Sequence, residues 1–252
     1  MEQPLIAPAF RRPALFVAVL GFAVFFSLAV LIFHAKRTAF DSWAFRVLPE
    51  RISSAPAQFM IGFTDPAVSV LLLVLTVVLA WSVRRLDIVI LAVVGPIVGT
   101  ILVSDVAKPI VHRTLFGGTT GTYPSGHQTG VTCTATVLLI AFGLLPLRRP
   151  VKYALAVVLA VWVIIAAVAL TRFYYHYATD TIGSMGLSVA LVLGLAGLLD
   201  RYWPSRGGAS RRPPRQARAA PSRSPRPVRP RPSRRPRPVP ADESGTQLTP
   251  RA

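Results

Sequence analysis

Residues 108–147 hold the reading that decides the architecture. Lys108-Pro109-Ile110-Val111-His112-Arg113 closes one apolar segment, and Gly117-Gly118-Thr119-Thr120-Gly121-Thr122 follows as a loop. Pro124-Ser125-Gly126-His127 then opens a second apolar run that continues to Leu147. A helix crosses roughly 30 Å of hydrocarbon with about 20 residues. Six segments meet that length: 13–35, 67–83, 88–107, 128–147, 153–171 and 181–199. The expected fold is all-α, a polytopic membrane protein with six transmembrane helices in a bundle.

Composition agrees. Of 252 residues 52% are apolar and only 15% charged, which is membrane-protein usage. The net charge of +18 is unevenly spread. From Pro204 onward 13 Arg stand against Asp242 and Glu243, so that stretch alone carries +11. With 12 Pro as well, it cannot bury a core. Two regions are therefore expected: a transmembrane domain over 1–203 and a disordered cytoplasmic tail over 204–252. Two readings of the tail stay open, contact with the anionic inner leaflet and a purely solubilising or topology-fixing role; nothing in it reads bases, so nucleic acid is not expected as a partner. Cys133 is the single cysteine, which excludes an intrachain disulfide, and its neighbours predict a buried, inert thiol.

Basic residues set the orientation. Arg11 and Arg12, Arg84 and Arg85, and Arg148, Arg149 and Lys152 fall on the same side as the tail when six spans are threaded. That side is expected to be cytoplasmic, with both termini, and residues 36–66, 108–127 and 172–180 to face outward. Residues 38–52, with Phe40, Trp43 and Phe45 among polar neighbours, read either as a short helix on the outer interface or as an ordinary connecting loop with aromatic anchors. His34 and His112 are expected to be interfacial polar residues.

The outward loops hold the chemistry. Lys108 and Arg113 are two cations suited to a phosphate, one a point charge and the other a planar fork. Asp105, three residues before Lys108, is expected to pair with it. Ser125 is a fitting N-cap, and Gly126 lets backbone approach a ligand at the helix start, where unpaired N–H groups and the dipole favour an anion. In Thr171-Arg172-Phe173-Tyr174-Tyr175-His176-Tyr177-Ala178-Thr179-Asp180, His176 and Asp180 are four apart and share one helical face. A carboxylate accepting from one imidazole nitrogen leaves the other free as nucleophile or base. Phe173, Tyr174, Tyr175 and Tyr177 are expected to form an interfacial aromatic belt. No metal cluster or cofactor motif is expected.

These three blocks resemble the type 2 phosphatidic acid phosphatase superfamily, which includes the vanadium haloperoxidases. The resemblance spans about residues 60–200, and Pro124-Ser125-Gly126-His127 matches outright. It implies that His176 forms a phosphohistidine, that Asp180 orients it, and that His127 protonates the leaving oxygen. Lys108, Arg113, Ser125, Gly126 and Arg172 would hold the phosphate oxygens. Two departures stand out. Leu115 occupies the position where the family's first block usually has its Arg, and only three residues separate Arg172 from His176 where five are usual. The expected activity is metal-independent hydrolysis of a lipid phosphate or polyprenyl diphosphate at the outer leaflet of a bacterial cell membrane. The alternatives are a lipid-to-acceptor phosphotransferase, a haloperoxidase, and a non-catalytic lipid-binding or transport protein.

Overall fold

A computed structural model describes residues 3–33, 37–115, 118 and 120–202. The expectations for His34 and for everything from Pro204 onward lie outside the described residues. Helices account for almost all regular structure there. In order they are α1 (Arg11–Leu31), α2 (Ala39–Arg51), α3 (Ser54–Gly62), α4 (Pro66–Ser82), α5 (Leu86–Ile101), α6 (Lys108–Val111), α7 (Gly126–Leu144), α8 (Arg149–Arg172) and α9 (Ala178–Tyr202). A π-helical stretch, Leu102–Ala107, joins α5 to α6 without a break.

Local chemistry explains three of the helix starts. Thr38 caps α2 through the Asp41 amide, and the Asp41 carboxylate returns the bond to the Thr38 amide, a reciprocal cap. Asp65 accepts from the Ala67 amide at 2.8 Å, with Pro66 preset in the first turn of α4. Ser125 caps α7 through the Gln128 amide at 3.3 Å, as its sequence predicts.

Five of these segments are long and apolar enough to cross a membrane: Pro8–Leu31, Leu86–Val111, Gly126–Leu144, Arg149–Arg172 and Ala178–Tyr202. The 17-residue α4 is apolar but shorter, about 25 Å. Its crossing follows from parity. Asp200, near the end of α9, accepts from the amides of Leu5 and Ile6 at 2.7 and 2.9 Å. The start of α1 and the end of α9 thus share one face, which requires an even number of crossings, and α4 makes the sixth. Large apolar side chains such as Phe16 and Phe26 on α1, Leu71 and Val78 on α4, and Val157 and Ile164 on α8 point outward. Lipid is the solvent in which such a surface is stable. The protein is a multi-pass membrane bundle.

The central helix is α7, which packs against α4, α5, α8 and α9. Its buried face carries Gln128, Thr129, Thr132, Thr134 and Thr136. Hydroxyls there return to carbonyls four residues back, Thr129 to Ser125 at 2.8 Å and Thr136 to Thr132 at 2.7 Å. This satisfies them without water. The first and last helices form the most extensive pair. They cross at Gly21 and Gly186, where a Cβ on Gly21 would lie 2.5 Å from the Gly186 carbonyl oxygen. Only two glycines permit that approach. Helix α3 and the π-helical stretch are features that hydropathy does not announce.

Candidate active site

Four of the expected site residues meet around one cavity. Lys108, Gly126, His127 and His176 line its outer end. From there the cavity, about 460 Å³, continues between α4, α5 and α7 past Ser69, Thr100, Ser104, Gly130 and Thr134 to Leu73 and Pro96. Lys108 and Pro96 are 12 residues apart on one nearly continuous helix, about 18 Å of depth. The result is a polar head with a long groove beneath it.

Each element presents its group for a local reason. The cap at Ser125 starts α7 so that Gly126 and His127 occupy its first turn, where backbone N–H groups have no intrahelical acceptor. Gly126 and His127 are exposed, and a Cβ on Gly126 would meet nothing within 4 Å. His127 lies close enough to His176, Lys108 and Asp65 to feel their charges. Gly121, at φ 72°, lies against the Lys108 stem, which is half-buried.

His176 precedes α9 rather than lying on it. Its Nδ1 is 3.0 Å from the Thr122 carbonyl oxygen. A carbonyl only accepts, so Nδ1 carries a proton, and Nε2 is the nitrogen that can act as nucleophile when the ring is neutral. Asp180 is 3.7 Å from the same nitrogen, beyond a hydrogen bond but within ion-pair reach. Its carboxylate also accepts from the Tyr177 amide at 3.1 Å, closing the first turn of α9. The four-residue spacing thus brings the pair together through a helix cap, with Thr122 as the direct hydrogen-bond partner.

Arg113 is not at the cavity. It is fully buried, and its guanidinium donates to Asp180, to Thr179 at 2.6 Å and to Asp41 at 2.5 Å. Its charge is answered inside the protein, and the Tyr177 ring lies 4.0 Å below it. Tyr177 is therefore a buried platform, whereas Tyr174 and Tyr175 are exposed as a belt requires. Burial raises the Tyr177 phenol pKa, and its hydroxyl donates to the Thr114 carbonyl at 3.3 Å. Arg172 also lies off the cavity lining: its Nε donates to the Ile52 carbonyl at 3.2 Å and its head sits 5.7 Å from the Phe173 ring. Among the described residues Asp105 forms no ion pair with Lys108; it is exposed in the π-helical stretch.

Asp41, Thr122 and Thr179 are not among the expected site residues. Asp41 has no solvent exposure. Burial opposes its ionisation, but the amides of Thr38 and Thr179 and the Arg113 guanidinium outweigh this and hold its pKa below the ordinary 3.8. Its one trace in the sequence is Thr38 three residues earlier, an acidic capping box. Among the described residues no group of three or more His, Cys, Asp or Glu is arranged to hold a metal ion.

Neither protein-family models nor curated proteins match this chain. Among solved structures, a transmembrane PAP2-type phosphatidylglycerolphosphate phosphatase from Bacillus subtilis is similar, with 17% sequence identity and a TM-score of 0.60. The match covers 76% of this chain and all of that one. The six-helix bundle described above is thus the fold of a transmembrane type 2 phosphatidic acid phosphatase.

Proposed function

We propose that this chain belongs to that superfamily and is a membrane phosphatase acting on a lipid phosphate or polyprenyl diphosphate. The observation that carries the reading is the cavity itself: two imidazoles and a lysine at its head, and a groove running along the helices below. A phosphate at the head and a hydrocarbon chain in the groove match its two parts.

His176 attacks phosphorus through Nε2 while Nδ1 stays bonded to Thr122. As the phosphorus–oxygen bond breaks, His127 gives a proton to the departing oxygen. Water then attacks the phosphohistidine, its proton passes to His127, and His176 is released with inorganic phosphate. Lys108 and the first-turn amides of α7 offset the charge that develops on the phosphoryl oxygens, usually the larger catalytic term. Arg113 and Ser125 act from behind the cavity by holding Asp180 and the start of α7. Arg172 braces the loop before His176.

The turns carrying Arg84 and Arg85, and Arg148, Arg149 and Lys152, belong to the face opposite the cavity head. By the positive-inside bias that basic face is cytoplasmic and the head is extracytoplasmic.

The test is inorganic phosphate release by detergent-purified protein from a panel of lipid phosphates and diphosphates. His176→Ala is expected to fall to background, and His127→Ala to lose about 10²–10⁴-fold. Undiminished release by folded His176→Ala would rule out the phosphohistidine. Release from no member of the panel would rule out the phosphatase.

A further inference from the structure

We infer that Asp41, on the surface helix α2, is a positioning residue for His176 and Asp180, acting through Arg113 and Thr179. As regards rate, this rests on the phosphatase reading above. Asp41 lies 135 positions before His176 in the chain, outside all three blocks that mark the site.

The carboxylate is saturated by five donors. Thr38 offers its amide and its hydroxyl, both at 2.9 Å. Thr179 offers its amide at 3.0 Å and its hydroxyl at 2.9 Å, and the Arg113 guanidinium is the fifth donor, at 2.5 Å. Two of these partners lead directly to the reacting pair. Thr179 precedes Asp180, and its oxygen also accepts from Arg113. Arg113 holds Asp180 with the same nitrogen, and its backbone carbonyl accepts from the Gly121 and Thr122 amides at 2.9 and 3.2 Å. The Thr122 carbonyl is the acceptor for His176 Nδ1. Both contacts of the His176 ring nitrogen, the Thr122 carbonyl and the Asp180 carboxylate, therefore hang on Arg113, and Asp41 anchors Arg113 from the other side.

The charges point the same way. Arg113 faces two fully buried carboxylates, Asp41 and Asp180. Removing the Asp41 charge leaves Asp180 as the one acid, among the described residues, paired with a buried guanidinium, which draws Asp180 toward Arg113 and away from His176. A shift of about 1 Å in a positioned group costs on the order of 10²-fold in rate.

The experiment uses full-length protein in detergent, with Asp41→Asn, Thr179→Val and Thr179→Ser. Phosphate release gives kcat and KM, and selective ¹⁵N-histidine labelling reports the His176 ring, assigned by its loss in His176→Gln. Asp41→Asn and Thr179→Val are expected to lower kcat by roughly 10–10²-fold with KM changed less than about threefold, the pattern of a lost transition-state interaction. Both should move the His176 ring signal, and Thr179→Ser, which keeps the hydroxyl, should restore rate and signal. Folded variants with wild-type kcat and an unmoved ring signal would overturn the inference, as would a rise in KM alone. If Asp41→Asn does not fold, Thr179→Val against Thr179→Ser decides. If wild-type protein releases no phosphate, the phosphatase reading falls, and the ring signal alone decides whether Asp41 positions His176.

Discussion

Arg113 carries a full charge with no solvent contact, and two acids and a tyrosine ring answer it. Truncating one member of such a buried cluster strands the others. Arg113→Ala is expected to destabilise the protein by about 3–5 kcal/mol, measured as detergent unfolding, and Arg113→Lys to recover only part because one ammonium cannot fork between two carboxylates. Acid sensitivity follows from Asp41. Its folded pKa is depressed, so its contribution is complete above the ordinary 3.8 and is lost as pH falls through the lower folded value. The stability gap between wild type and Asp41→Asn should therefore be constant at neutral pH and narrow below about pH 4. Little of this was legible in the sequence. Arg113 reads as a phosphate ligand because it stands beside Lys108. Its real partners lie 67 and 72 positions away, and no local pattern encodes them. The nearness of His176 and Asp180 was legible because a cap at the start of a helix spans the same four residues as one helical turn.

At the scale of elements, the α1–α9 crossing tolerates nothing larger than hydrogen at Gly21 and Gly186. Gly21→Val or Gly186→Val is expected to cost about 1–3 kcal/mol or more by overpacking, read as a lowered unfolding temperature. The groove offers the opposite case. Gly130 lines the cavity, and a Cβ there would meet nothing within 4 Å, so added bulk enters open space without disturbing the bundle. Gly130→Leu should leave stability within about 0.5 kcal/mol. It should lower kcat/KM for a long-chain lipid phosphate about tenfold or more, while sparing a short-chain water-soluble phosphate. Equal loss on both would mean that the chain does not lie in the groove. The apolar spans were legible because twenty apolar residues in a row have few other fates. The groove was not, because it arises from how α4 leans on α5 and α7, and hydropathy is blind to lean.

For the whole molecule, parity makes a topological prediction that cysteine labelling can check, since the native Cys133 is buried. Ala7→Cys and Tyr202→Cys should react with a membrane-impermeant thiol reagent from one side, and Thr120→Cys from the other. Labelling of all three from one side would contradict the six-span bundle. Six spans, their order and the clustering of the charged loops at one end were readable from composition and spacing alone. The clasp between the Leu5 and Ile6 amides and Asp200 was not, since it joins positions nearly two hundred apart. It makes the bundle a closed circuit, with its start and finish neighbours in space. A short peptide joining the two ends should then be tolerated, and the chain could be reopened at the turn between α7 and α8. Conversely, trimming the first six residues should loosen the final helix, an effect that no inspection of the amino terminus by itself would foretell.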